Sequence, residues 1–159
     1  MALIKAFRAD KRRFAVGQAI VTASEFPQRN PSGKQLEQVF TAAKPEGKPE
    51  RIGSLFVFEN YDDAEWHWAK MADGVLYECE IGGTAILHRG DMKLIDIAGQ
   101  QLTAGSDPMP HANRYWAGEG TGKPCWELLV AGASITKIIC DDQKLRRARM
   151  AKGQRLPRP

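Results

Sequence analysis

Apolar and polar residues alternate in several short stretches of the chain, which is the pattern of strands with one buried face. Residues 54–59 are rich in aromatic and β-branched side chains, and residues 75–81 alternate apolar side chains with glutamates. Both patterns are typical of strands. Further strands are predicted over residues 3–7, 18–22, 84–88, 92–97, 126–131 and 134–140. We expect Gly82 and Gly83 to form a hairpin turn between the strands on either side.

Two other segments have the spacing of helices. Ser32 begins a capping-box pattern. The apolar positions that follow it at helical spacing are Leu36, Val39, Phe40 and Ala43. A second helix is predicted over residues 60–71, whereas residues 100–123, rich in Gly and Pro, are expected to be mostly loop. Since helices and strands do not alternate regularly, we expect an α+β fold with a mixed, largely antiparallel split sheet and two or three helices.

Length and charge suggest one domain with basic ends. The 159 residues suffice for a single core, and no stretch approaches the ~20 apolar residues that cross a bilayer. We therefore expect a cytoplasmic protein without a membrane partner, although delivery to another cell stays open. Residues 1–14 carry a net charge of +4 and residues 141–159 a net charge of +5, around a body of −5. The prediction is one domain over residues 1–140 and a basic, partly disordered tail over 141–159 that can contact phosphates.

Several kinds of site are disfavoured by spacing. The three cysteines lie far apart in apolar runs, which indicates core positions and neither disulfides nor a metal site: Cys79, Cys125 and Cys140. The Gly-rich residues 118–123 do not match the nucleotide-binding loop, and no helix is predicted after them. The three histidines lie on different predicted elements, without the nucleophile of a hydrolase triad: His67, His88 and His111.

Polar residues on three predicted strands remain as candidates for chemistry. Arg8 ends the first strand, Ser54 opens the strand at 54–59, and Glu127 stands between a Trp and an apolar triplet. A carboxylate in such a run either faces solvent or has a functional reason to be there. Alternation alone is compatible with either role for Glu127.

The order of these segments resembles the ADP-ribosyltransferase superfamily. The resemblance covers most of residues 3–140 and rests on four short pieces. They are a first strand ending in Arg, a Ser-Leu-Phe-Val-Phe strand before an Asp-Asp-Ala-Glu helix, a Leu-Tyr-Glu-Cys-Glu-Ile strand and a late Trp-Glu-Leu-Leu-Val strand. More narrowly, the chain is similar to small bacterial proteins thought to share that fold. Their setting, as toxin, effector, phage product or housekeeping enzyme, is left open.

The resemblance implies an NAD-consuming transferase or NAD glycohydrolase that needs no metal. Arg8 and Arg51 would contact NAD phosphate or ribose, Ser54 would orient the catalytic Glu127, and Phe56 would lie beside nicotinamide. Glu127 would accept a hydrogen bond from the ribose 2′-hydroxyl and stabilise positive charge at the anomeric carbon, as carboxylates do in glycoside cleavage. ADP-ribose would then pass to a protein or nucleic-acid acceptor, or to water.

Some features of the chain are compatible with a different acceptor or a different function. Cys125 stands where many arginine-modifying relatives have Glu or Gln, so the acceptor is undetermined, and a fold retained without activity is an alternative. The second hypothesis is a non-catalytic binding module whose basic termini hold nucleic acid or an acidic partner. The third is an interaction protein that uses tryptophans as anchors: Trp66, Trp68 and Trp116.

Overall fold

The computed structural model describes residues 2–21 and 31–154. Its strands are β1 (Leu3–Asp10), β2 (Ala19–Ile20), β3 (Leu55–Phe58), β4 (Val75–Gly82), β5 (Ile86–Asp91), β6 (Trp126–Val130) and β7 (Ala133–Cys140). The helices are α1 (Pro31–Ala43), α2 (Tyr61–Ala69), α3 (Met92–Thr103), α4 (Met109–Trp116) and α5 (Gln143–Ala151), with a 3-10 turn at Gly83–Ala85. None of the described helices is long and apolar enough to cross a membrane.

The strands form one antiparallel sheet in the order β2-β7-β4-β1-β3-β6-β5. Strands β6 and β7 are four positions apart, which would be about 19 Å in a flat sheet. The chain joins Val130 to Ala133 through only residues 131 and 132, a reach of about 11 Å. The sheet must therefore curl until these two strand ends approach each other.

This curl gives the sheet two different apolar faces. The inner face is lined by side chains of the strands themselves, among them Ala6, Leu55, Val57, Cys79, Leu128 and Ile135. On the outer face, α2 places Trp68 and Ala64 against Phe7 and Phe58. A separate outer cluster joins α1, α3 and α4 to Leu129 of β6. The junction of these two outer clusters lies over β3 and β6, where the candidate site is found.

The sequence pattern predicts five of the strands and two of the helices well. The strands expected near 3–7, 54–59, 75–81, 126–131 and 134–140 are confirmed, as are the helices near 32–43 and 60–71. The strand predicted over 18–22 is confirmed only at Ala19–Ile20, and residues 22–30 lie outside the described part of the chain. The α+β class is confirmed, with five helices rather than two or three in the described residues.

Two predictions for the middle of the chain are wrong. Residues 92–97 belong to α3, since Asp91 caps the helix by accepting a hydrogen bond from Lys93 N, and Leu94 and Ala98 share its buried face. The expected hairpin at Gly82 is also wrong. Strand β4 pairs with β1 and β7, while the strand after the 3-10 turn pairs with β6 at the far side of the sheet.

The predicted loop over residues 100–123 is wrong as well, because it contains the end of α3 and all of α4. Pro110 lies in the first turn of α4, where its missing N–H costs nothing. At the other end Gly118 adopts a φ of 75°, which favours glycine. Its N–H donates to Tyr115 O, and Glu119 N donates to Arg114 O. These turn signals are what ends the helix.

The C-terminal helix α5 packs against α2 through polar contacts. Gln143 Nε2 donates to Trp68 O and Met71 O, both at 2.9 Å, which satisfies carbonyls at the end of α2. Arg146 is buried and pairs with the equally buried Glu65 of α2. The folded domain thus extends beyond residue 140 and includes α5. Residues 155–159 of the expected tail lie outside the described part.

The tryptophans and cysteines differ in burial. Trp68 and Trp116 lie in the core, so the hypothesis that all three tryptophans anchor a partner is wrong. Trp66 is 59% exposed, as expected for one of two tryptophans on opposite faces of a helix. The three cysteines are free thiols; Cys79 is buried, while Cys125 and Cys140 are half-buried.

Candidate functional site

Strands β1, β3 and β6 are consecutive in the sheet, and β1 separates from β3 beside the candidate site. In the described part of the chain, β1 and β3 share a single residue pair, Phe7 with Phe58. Beyond it the Arg8 side chain takes the place of strand pairing, since its Nη1 donates to Phe56 O. The Arg8 guanidinium also lies 5.9 Å from the centre of the Phe56 ring. The sheet is therefore split next to Arg8.

Arg8 is held in the split by a buried carboxylate. Its Nε and Nη2 both lie 2.7 Å from Oδ2 of Asp10. Arg12 binds the same carboxylate through its backbone N–H at 2.8 Å and its Nη2 at 2.9 Å. Burial alone would raise the pKa of Asp10, but hydrogen bonds from Arg12 and the charge of Arg8 outweigh it and lower that pKa. Asp10 thus has two cationic partners at once.

Glu127 of β6 is buried on the outer face of the sheet and is only 1% exposed. Arg51 Nη1 and Tyr115 Oη both donate to its Oε1, the tyrosine at 2.6 Å. Its Oε2 has no hydrogen-bond partner among the described residues. A buried carboxylate normally has both oxygens satisfied, because an unpaired buried polar atom is costly. One oxygen of Glu127 is thus fixed by two donors, and the other is buried without a partner among the described residues.

Arg51 is shared between two carboxylates. Besides Glu127, its Nε lies 3.3 Å from Oε2 of Glu37 on α1, and its Nη1 donates to Tyr115 Oη at 2.6 Å. Burial is the largest single influence and would lower the pKa of Arg51, but Glu127, Tyr115 and Glu37 together outweigh it and raise that pKa. The network holds one guanidinium and two carboxyl groups, which gives a formal charge of −1. Arg51 therefore orients Glu127 without removing the negative charge of the site.

Tyr115 reaches Glu127 because Gly90 leaves room for its ring. Gly90 is the cross-strand partner of Glu127, and a Cβ at this position would overlap the Tyr115 ring. Around the ring, Phe40 and His88 make edge contacts at centroid distances of 5.2 and 5.0 Å. Burial, and then the charge of Glu127, raises the pKa of Tyr115, so its hydroxyl stays a proton donor.

His67 lies at the outer boundary of the same region. It is an exposed residue of α2, and its ring packs against Phe58 at a centroid distance of 5.2 Å. Phe58 in turn is the cross-strand partner of Glu127. Desolvation by the surrounding protein lowers the pKa of His67, while the negative charge of Glu127 opposes that shift. The imidazole thus stands close enough to Glu127 to feel its charge.

Asp91 holds the start of β6 and the Gly-rich loop in front of it. Its Oδ1 accepts from Cys125 N at 2.9 Å, and its Oδ2 accepts from Thr121 N and Thr121 Oγ1, both at 2.8 Å. Burial favours a higher pKa for Asp91, but these hydrogen bonds lower it below the usual value. The loop is therefore anchored to the sheet two residues before Glu127. Cys125 itself has its pKa raised to about 12, first by burial and then by nearby carboxylates.

The structure places four of the five residues proposed from the sequence in two contacting pairs. Arg8 and Phe56 meet at the split, and Glu127 and Arg51 meet two positions along the sheet. Arg51 faces inward to its carboxylates rather than outward to a phosphate. Ser54 lies apart: it precedes β3, its Oγ donates to Glu50 O, and Phe58 occupies the register position opposite Glu127.

Sequence reasoning misses three residues of the site: Glu37, His67 and Tyr115. The Gly and Pro content places Tyr115 in a loop, although the Pro signals before it and the Gly after it indicate a short helix. Glu37 and His67 carry no local signal, because only the packing of α1 and α2 brings them to β3 and β6. Among the described residues, no group of three or more His, Cys, Asp or Glu side chains is arranged to hold a metal ion.

Comparison with models of known protein families and with curated proteins found no match to this chain.

Proposed function

We propose that this protein cleaves NAD at the nicotinamide–ribose bond and transfers ADP-ribose to an acceptor or to water, with Glu127 as the catalytic carboxylate. The observation that supports this most directly is that only one carboxylate oxygen of Glu127 accepts hydrogen bonds from the described residues. Arg51 and Tyr115 bind Oε1, and Oε2 has no partner among the described residues. A ribose hydroxyl is a donor of suitable size and chemistry for that free oxygen.

The charge of the network suits the proposed reaction. Breaking an N-glycosidic bond builds positive charge at the anomeric carbon, as in glycoside hydrolysis. A preorganised negative charge in a water-poor site stabilises such a transition state strongly. Arg51 alone would neutralise Glu127, but Glu37 on the far side of Arg51 keeps the group at −1. Glu37 therefore serves the reaction indirectly, by preserving the charge that Glu127 presents.

Arg8 is proposed to contact a phosphate of NAD from the split between β1 and β3. Its present partner Asp10 is also bound by Arg12, so Arg8 can turn toward a phosphate without leaving a buried carboxylate unpaired. A guanidinium suits the oxygens of a phosphate because it donates in a planar fork. Phe56, partly buried beside Arg8, is proposed to flank the nicotinamide ring.

The test is a titration of NAD against the wild-type protein, Glu127→Gln and the control Glu119→Gln, whose carboxylate is exposed and pairs with Arg114. Thermal unfolding and released nicotinamide are read in the same samples. A ligand at 100 times its Kd stabilises by about 2.7 kcal/mol, which corresponds to a midpoint rise of about 5–10 °C. We expect this rise in all three proteins, and nicotinamide release from the wild type and Glu119→Gln only.

Absence of a midpoint shift at saturating NAD would overturn the proposal. Equal nicotinamide release from Glu127→Gln and the wild type would leave NAD cleavage standing but remove Glu127 from the catalytic role. Salt-dependent binding of nucleic acid without any response to NAD would instead favour a binding module that uses the basic termini.

A further inference from the structure

We propose that His67 is the general base of the transfer step, taking the proton from the acceptor hydroxyl or water that attacks the ribose. This inference rests on the proposed function and adds the acceptor chemistry, namely an O–H nucleophile. In this arrangement helix α2 forms one wall of the acceptor site. Glu127 and His67 would then face the anomeric carbon from two different elements, β6 and α2.

The placement of His67 is the first reason for this assignment. Its ring packs on Phe58 at 5.2 Å, and Phe58 lies directly across from Glu127 in the β3–β6 register. Directly paired residues of an antiparallel sheet have Cα atoms about 4.5–5.5 Å apart. Phe58 therefore links the two residues, because its ring contacts the imidazole of His67 and its backbone position pairs with Glu127.

The three histidines of the chain differ in the hydrogen bonds that their rings make. His88 Nε2 is engaged by Tyr115 O at 3.1 Å in the core, and His111 Nδ1 lies 2.9 Å from Gln101 Oε1. The ring nitrogens of His67 make no hydrogen bond with the described residues. His67 is also exposed, so an acceptor can reach it from solvent. It alone among the described histidines is both accessible and uncommitted.

The charged groups around His67 favour its basic form at neutral pH. Desolvation by the protein lowers its pKa, as do Lys70 at the C-cap of α2 and Arg8 from β1, while Glu127 from β6 and Asp96 from α3 raise it. The result is a pKa below the ordinary 6.5, so the imidazole is neutral at pH 7. A base must be neutral before it can accept a proton, and a pKa near the working pH is the effective range.

The proposed step replaces the nicotinamide of NAD with the acceptor oxygen. A lone pair of the acceptor oxygen forms the new C–O bond at the anomeric carbon, and the bond from that carbon to the nicotinamide nitrogen breaks. The electron pair of the broken bond leaves with nicotinamide, which departs neutral. The acceptor proton passes to one imidazole nitrogen of His67 and then to solvent.

The experiment compares the wild type with His67→Ala and the matched control His111→Gln. The probes are NAD in water, which yields ADP-ribose, and NAD with methanol as a small O–H acceptor, which yields O-methyl ADP-ribose. We expect His67→Ala to bind NAD with an unchanged midpoint shift, to lose at least about 10²-fold in both products and to regain rate when free imidazole is added. We also expect the wild-type rate to fall below pH 6.5, and this acid limb to be absent from His67→Ala and present in His111→Gln.

The outcomes separate this inference from the function on which it rests. Product formation by His67→Ala at the wild-type rate and with the wild-type pH profile overturns the role of His67 and leaves NAD cleavage standing. A loss of the NAD-induced midpoint shift in His67→Ala also overturns it, because His67 then serves binding rather than proton transfer. Absence of any NAD response in the wild type overturns both proposals.

Discussion

His88 is buried in its neutral form, and this makes the stability of the protein depend on pH. The side chain is 4% exposed, contacts Tyr115 O through Nε2 at 3.1 Å and packs against Trp116 at a centroid distance of 4.8 Å. Desolvation, followed by the charge of Lys48, lowers its pKa to about 4 from the ordinary 6.5. In the unfolded chain it titrates near 6.5, so below that pH the unfolded state binds the proton first. The free energy of unfolding must therefore fall as the pH falls from 6.5 toward 4.

The size of the effect follows from these two pKa values. Each pH unit between them contributes about 1.4 kcal/mol. Between pH 7 and pH 5, His88 alone should therefore lower the free energy of unfolding by about 2 kcal/mol. His88→Gln removes the titrating group and retains an amide that can donate to Tyr115 O. The variant loses ring contacts, but that loss is the same at both pH values and cancels in the comparison.

The assay is urea unfolding followed by tryptophan fluorescence at pH 7 and pH 5. We expect the loss of stability between the two pH values to be about 2 kcal/mol smaller in His88→Gln than in the wild type. His111→Gln, which leaves His88 in place, should keep the wild-type difference. Identical losses in the wild type and His88→Gln would refute the reasoning, because they would mean that His88 is not held neutral by the fold.

Two further predictions concern stability alone. Gly90→Ala places a methyl group against the Tyr115 ring and should lower the free energy of unfolding by about 1–3 kcal/mol. The control is Gly82→Ala, where nothing lies within 4 Å of the new methyl group. This control should change the thermal midpoint far less than Gly90→Ala does. Arg146→Met leaves buried Glu65 without its cation and should cost about 3–5 kcal/mol in urea unfolding. Adding Glu65→Gln should recover much of that loss, and a double variant no more stable than Arg146→Met would contradict the pairing.

Local sequence patterns predict most of the sheet, because alternation of apolar residues depends only on which face of a strand is buried. They fail for α3, whose Ile95 and Ile97 are β-branched and give a short apolar run that also suits a strand. They fail for α4 because glycines and prolines flank it closely. In both helices the decisive signal is an end, the cap at Asp91 and the glycine at 118, rather than the apolar content between the ends.

Glu127 is noticeable in the sequence as a carboxylate within an apolar run, although alternation leaves open whether it faces solvent. Its partners are not noticeable, since Arg51 is 76 residues away in the chain and Tyr115 lies on a helix that the pattern does not predict. The proposed partner Ser54 also depends on a register that local reasoning cannot supply. A shift of one residue in pairing turns every side chain to the other face, and the observed register places Phe58 opposite Glu127.

Local periodicity and the cost of burying charge were enough to predict the α+β class, most strands, the helices α1 and α2, the apolar face of α1, and Arg8 and Glu127 as candidate site residues. Other features emerge only from the folded chain. They are the departure of β1 from β3 after one residue pair, the room that Gly90 leaves for Tyr115 beside Glu127, and the position of His67 at the same region. Each of these depends on contacts between strands and helices that are far apart in the chain, and local sequence patterns do not specify such long-range contacts.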